Sequence, residues 1–376
     1  MLIGLAALAG RATADSPTTT ETSPIATIAD RLRADFDRRI EDPATYREQA
    51  LKQCQPFPEG GLFPFVFPAL GYAHLGMQDP AMADHARVRM EKLLRIAAPL
   101  VAARVKAPQG NLTRLKSYAG HAVHLGQFNL ALSYYRRLGG DDNALLGMND
   151  ALSSLLLKAL EQSRGRPIES YPGQTWPFDT MPCVVSLNYW DKERERVAAI
   201  VQLHLNWLRN DGSHPRHRLP YSREPGSLPR GCDLSLRIAL LKELDAAYAK
   251  ETYARYHKLF WRQQGLFSGF AEYPEGQAGP EDMDSGPIIH GIGLAATGNG
   301  FAAAAAMGDQ ETLAVLTSQL RLMELVAIAR GGNADLKRLI DGGYQQMGLA
   351  FDPQYVTGFL FGDAVLFGVI TWPQPD

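Results

Sequence analysis

Apolar and polar positions along this chain alternate in blocks. A segment of apolar and small residues ends in a short turn carrying Gly or Asp, and a more charged segment follows whose apolar positions recur at helical spacing. The clearest copies join residues 65–75 to 82–101 through GMQDP and 119–138 to 145–160 through GGDDN. Others join 181–190 to 194–208 at Asp191, 234–244 to 250–263 at Asp245, and 288–307 to 313–328 through GDQ. These read as five helical hairpins spaced by about 50 to 65 residues, close to the periods of helical repeats. Two segments remain. Residues 25–54 hold an amphipathic helix with Ile28 and Phe36 on its apolar face, and 356–370 form a closing apolar helix. Paired across the termini they would supply a sixth hairpin. The expected fold is all-α, an (α/α)6 toroid with the thin apolar helices inside and the charged helices outside. Runs rich in Val, Ile and Thr with period-two alternation are nearly absent. An open helical array serving protein binding shares the same periodicity.

The fifth apolar segment stands out. Residues 280–300 read PEDMDSGPIIHGIGLAATGNG, with Glu281, Asp282 and Asp284 directly before a run of small residues. Helices that converge on one axis must approach closely, and Gly291, Gly293, Ala295, Ala296 and Ala302 to Ala306 would permit it, although each Gly costs up to about 1 kcal/mol of helix propensity.

Composition narrows the classes. The chain has 376 residues, 45% of them hydrophobic, and a formal net charge of −2. Its basic residues are dispersed, so no stripe suited to nucleic acid is present. The one basic knot, His214, Arg216, His217 and Arg218, falls in a proline-containing loop. Residues 2–10 are apolar and Ala12-Thr13-Ala14 is an A-x-A pattern, so 1–14 read as a signal peptide lacking its basic start. Residues 15–27 then read as a disordered leader and 28–376 as a single domain, exported to a bacterial periplasm or beyond. No later segment has the roughly 18 uninterrupted apolar residues of a membrane span. Cys54, Cys183 and Cys232 are too few for a disulfide framework. With no CxxC, HExxH or GxxxxGK[ST] pattern, neither metal nor cofactor is expected.

The unusual chemistry lies in loops that precede apolar segments. One is ESYPGQTWPFDTMPC, residues 169–183; another is FAEYPEGQAGPEDMDSGP, residues 270–287; a third is SYAGHAVHLGQFN, residues 117–129. The first two share a Tyr-Pro-Gly-Gln-like core. Asp179 and Asp284 each stand just before an apolar segment and form the candidate catalytic pair, with Asp282 as a neighbour able to raise the Asp284 pKa. Both aspartates also suit helix capping, since each is followed within three residues by proline. Trp176, Tyr171, Tyr273 and Tyr118 are candidate substrate walls, and Glu272, Glu169, Ser170, Gln127 and His290 candidate polar contacts. Tyr118 and Tyr189 equally suit core positions, and His290 a buried, satisfied one. His121 and His124, three apart, lack a third metal ligand by spacing. Cys183 lacks a base to activate it.

The runs HLGQFNLALSYYRRLGGDDNALLGMNDALSSLLLKALEQS and IESYPGQTWPFDTMPCVVSLNYWD resemble the corresponding region of the linalool dehydratase/isomerase family, and the likeness continues through CDLSLRIALLKELDAAYAKETYARYHKLF and MDSGPIIHGIGLAATGNGFAAAAAMGDQETL. The resemblance implies an α/α toroid, a periplasmic location and a site at these loops. It does not carry the family's catalytic groups: Gln127 stands at the place of the family's histidine, and Ser170 and Asp179 stand where its two cysteines would.

Two carboxylates among aromatic walls suit glycosidic bond cleavage, in which one protonates the leaving oxygen while the other activates water or attacks. The expected function is therefore a cofactor-independent glycoside hydrolase acting on a poly- or oligosaccharide. Alternatives are a lyase or isomerase acting on a small alcohol, and a non-catalytic glycan-binding or scaffold protein.

Overall fold

The computed structural model describes residues 24–57, 59–190, 192–264, 267–346 and 348–375. Residues 1–23, which hold the segment read as a signal peptide and most of the leader, lie outside the described residues, as does the turn at Asp191. The first helix begins at Pro24, inside the segment read as leader.

The chain is mostly helical. Fourteen α-helices are described: α1 Pro24–Ile40, α2 Pro43–Gln53, α3 Phe63–Gln78, α4 Ala83–Arg104, α5 Ala122–Arg137, α6 Asn143–Gln162, α7 Thr180–Asn188, α8 Arg194–Asn210, α9 Gly231–Lys242, α10 Ala246–Phe260, α11 Leu294–Met307, α12 Gln310–Ala329, α13 Ala334–Gln346 and α14 Leu360–Ile370. Four short strands complete it: β1 Trp261–Gln264 paired antiparallel with β2 Phe267–Phe270, and β3 Ile288–Ile289 with β4 Ile292–Gly293.

The two block types take different places. In α5 every residue from Ala122 to Tyr135 is buried, and α3, α7, α9 and α14 are similarly enclosed. A helix that is apolar all round must be covered on every side. The charged partners α4, α6, α8, α10 and α12 each pack on the apolar helix before them. Among the apolar helices, α3 rests on α5, α5 on α7, α7 on α9, α9 on α11, α11 on α14, and α14 on α3. The closing helix α14 also meets α1, where Phe36 and Phe367 stack with centroids 5.5 Å apart.

The start of α9 is closely packed against α11 and the segment before it. A Cβ on Gly231 would lie 2.0 Å from the Ala271 carbonyl oxygen and 2.7 Å from the Ala296 Cβ. Gly231→Ala is therefore expected to cost about 1–3 kcal/mol through overpacking, read as a lower urea midpoint at unchanged m-value; an unchanged midpoint would show that the helices can part freely.

One segment departs from the helical expectation. Residues 288–293 form the β3–β4 hairpin, not the first turns of α11, which starts at Leu294. The isoleucines are β-branched and fit a strand. His290 and Gly291, with φ of 51° and 81°, supply the two left-handed residues of a tight hairpin turn. Gly291 thus serves the turn and not helix packing: a Cβ there would meet nothing within 4 Å. By contrast Ala296 and Ala302 to Ala306 are buried, as close packing requires.

Candidate active site

The segments leading into the apolar helices carry the polar groups of the site. Asp179 ends a short 3-10 turn, Pro177–Asp179, immediately before α7. It occupies the N-cap position, yet its side chain makes no capping hydrogen bond. Burial pushes its carboxyl up to about 7, the negative charges of Asp284 and Asp233 add to the rise, and the Ser170 hydroxyl and Arg237 oppose it. Asp284 does not cap α11, which begins ten residues later. Its carboxyl is also raised, first by surrounding protein, then by Asp282 and Asp233, with Arg230 pulling it down. Asp284 remains open to solvent.

A third carboxylate belongs with this pair. Glu59 lies in the turn before α3, where its backbone carbonyl accepts from Leu62 N at 2.8 Å and Phe63 N at 3.0 Å and so starts the helix. Its side chain is half-buried, and its carboxyl is pushed up to about 8 by burial and by the charges of Asp284 and Asp179, with Arg104 opposing. Acids from loops far apart in sequence thus act on one carboxyl group. The sequence reading overlooked Glu59, although its setting in FPEGG, a Pro/Gly loop directly before an apolar helix, matches that of the two aspartates.

A raised carboxyl pKa has a consequence for stability. Between its ordinary value of 4.5 and about 8, Glu59 holds a proton in the fold that the unfolded chain releases, so stability falls as pH rises through this window. Glu59→Gln removes that cost. It is expected to match the parent near pH 4 and to exceed it by about 1–3 kcal/mol at pH 9, in urea unfolding at both values; equal stabilities at pH 9 would mean that Glu59 is solvated like a surface acid.

Asp282 has a different role from its neighbour. Its carboxylate receives a bidentate pair from Arg230, Nη1 and Nη2 each at 2.7 Å, and also accepts from Asp284 N at 3.1 Å and Ser285 N at 3.0 Å. Held in this way it is acidified and shapes the turn that presents Asp284. The same guanidinium donates through Nε to Glu272 at 2.6 Å. Glu272 is completely buried and accepts from the Cys232 backbone at 3.1 Å and thiol at 3.0 Å. The side chain proposed from sequence as a substrate contact is thus enclosed and engaged by Arg230 and Cys232.

The remaining candidates divide. Tyr171 sets its ring edge-on to His124 at 5.8 Å and to Trp176 at 5.7 Å, and the buried Ser170 hydroxyl accepts from Trp176 N at 2.8 Å. Glu169 accepts from Gly173 N at 3.0 Å and so fixes the turn. Tyr118 donates to the Glu169 carbonyl, and its phenol is raised by burial and by nearby Cys183 and Asp179. Gln127 is buried on α5 with Nε2 unpaired. Tyr273 donates to the Pro280 carbonyl at 2.8 Å, with Arg230 6.0 Å above its ring. His290 sits exposed in the β3–β4 turn, not within a helix beside Asp284 as expected. Tyr189 donates to Glu243 past the end of α7, away from the Asp179 end. Burial drives the Cys183 thiol far above its ordinary value and the His124 imidazole down to about 3, so neither is charged near neutral pH. Among the described residues no group of three or more His, Cys, Asp or Glu is placed to hold a metal ion. No protein-family model matches the chain, and no curated protein matches it in sequence.

Proposed function

We propose that this chain is a cofactor-independent glycoside hydrolase whose apolar helices close into an (α/α)6 toroid with the site at one mouth. The order of contacts among α3, α5, α7, α9, α11 and α14, which returns to α3, supports the closed arrangement. The observation that carries the activity is that two aspartates and Glu59, delivered by three such loops, lie near enough for the Asp284 charge to raise Asp179 and for both aspartates to raise Glu59. Asp179, half-protonated near pH 7, gives its proton to the glycosidic oxygen as the bond to the anomeric carbon breaks. Asp284, drawn down by Arg230, is the carboxylate that takes a proton from water or attacks that carbon. Glu59 holds its proton longest.

A second reading is a lyase or isomerase acting on a small alcohol. It is favoured by Met283 and Ile289, large apolar side chains left 38% and 55% exposed on the loop that carries Asp284. Incubation of the purified protein with a polysaccharide panel and with small alcohols, followed by product analysis, separates the two. Reducing ends released by the parent and lost in Asp284→Asn support the hydrolase. Dehydrated or isomerised alcohol with no reducing ends supports the second reading, and glycan cleavage that survives in Asp284→Asn overturns the two-carboxylate mechanism.

A further inference from the structure

A cavity of about 720 Å³ lies on the other side of the Trp176 loop, between that loop and the segment leading into α9. Its volume is that of a typical ligand pocket. None of Asp179, Asp284 or Glu59 lines it. Two of its aromatic walls are almost wholly covered, Trp207 at 7% and Tyr221 at 6% exposure, yet among the described residues neither the indole N–H nor the phenol has a hydrogen-bond partner, and neither polar atom is enclosed. Trp207 turns its Cε3–Cζ3–Cη2 edge onto Gly212 and one face onto His204, which leaves the N–H edge toward the open side. Polar tips on buried aromatics normally find a partner. Here the partner has to come from the cavity.

The third aromatic wall is Trp176, and the Arg223 guanidinium lies over its ring at 5.4 Å. Arg223 is exposed and has no carboxylate partner among the described residues. An exposed cation–π contact is worth only about 0.5–1 kcal/mol, so a flat apolar face can replace the guanidinium on the indole and leave its donors free for hydroxyl groups. The charged lining balances: Arg166 pairs with Asp211 at 3.4 Å, and Arg223 is matched by Glu224. Such a lining offers donors and acceptors with no net field.

We propose that this cavity binds a neutral saccharide unit, its C–H face stacked on Trp176 and its hydroxyls bonded to the Tyr221 phenol, the Trp207 indole N–H and Arg223. Because Trp176 stands three residues before Asp179, the cavity extends the substrate path, and the substrate is an oligosaccharide chain and not a simple glycoside. This extension rests on the hydrolase reading; binding of a neutral saccharide by the cavity does not.

The test is titration calorimetry of the full chain with cellohexaose, xylohexaose, mannohexaose and maltohexaose, each alone, and with oligogalacturonate as the anionic comparator. One neutral series is expected to bind, to weaken about tenfold or more in Trp176→Ala and several-fold in Tyr221→Phe, to recover in Trp176→Phe, and to be unchanged in Asp179→Asn. Failure of all four neutral series to bind, preference for oligogalacturonate, or indifference to both Trp176→Ala and Tyr221→Phe would overturn the proposal. A neutral series that binds in this pattern but is never cleaved would sustain the cavity and reject the hydrolase. Cleavage lost in Asp179→Asn, with binding indifferent to Trp176→Ala, would do the reverse.

Discussion

Asp179→Asn is expected to lower turnover of a glycan substrate by a factor of about 10² to 10⁴, the usual contribution of a positioned general acid. The amide has the same shape and cannot give up a proton to the leaving oxygen. In the parent, activity falls as pH rises through about 7, because Asp179 is then ionised. It also falls at low pH, because Asp284 must be ionised to act and its pKa lies above the ordinary 3.8. The profile is therefore a bell whose limbs belong to the pair of aspartates taken together and not to single residues. Glu59 keeps its proton up to about pH 8 and is neutral while Asp179 titrates, so Glu59→Gln should leave the alkaline limb in place. Measurement of kcat/KM against pH for the parent and both variants decides the matter. An alkaline limb displaced by a unit or more in Glu59→Gln, or an Asp179→Asn variant of full activity, would reject the assignment.

The second large effect concerns stability. Arg237→Met is expected to cost about 3–5 kcal/mol, the range found when one partner of a buried ion pair is removed. Arg237 is fully buried and holds Asp233, one turn earlier on α9, through Nε and Nη2 at 2.7 Å each. Its third nitrogen, Nη1, has no partner, so the pair already carries an uncompensated donor. Methionine fills similar volume but leaves Asp233 to take up a proton or remain charged in apolar surroundings. Asp233→Leu combined with Arg237→Met should recover most of the loss, because an apolar replacement of both partners is often neutral. Urea unfolding of the two single variants and the double variant closes the cycle; additive losses would show that the residues act independently.

The helical hairpins were legible in the sequence because burial on all sides demands a largely apolar composition, and α3 and α14 have it. The β3–β4 hairpin was not, since a short run of apolar and small residues fits a helix start as well as a strand pair, and two left-handed residues are what decide it. The loops holding Asp179 and Asp284 were visible from their density of acids and aromatics. Their competing use as helix caps was equally visible, and only the late start of α11 and the uncapped side chain of Asp179 remove it. Glu59 escaped because a single acid in a loop carries no density signal. Its perturbation comes first from burial in the fold and then from aspartates more than a hundred residues away. The Arg230 clamp escaped for the same reason, since it joins residues 42 and 52 positions apart.

That clamp bears on how the molecule could diversify. One guanidinium grips the chain at Glu272 and again at Asp282, and the Tyr273 hydroxyl closes the base of the intervening loop on Pro280. Residues 275–280 are exposed, but Glu275 N donates to the Leu259 carbonyl at 2.9 Å and Gly279 lies against the Tyr273 ring. Insertions or grafts confined to 276–278 would therefore be expected to leave Asp284 where it is, so this exposed stretch can be rewritten, by evolution or by design, without disturbing the Arg230 clamp.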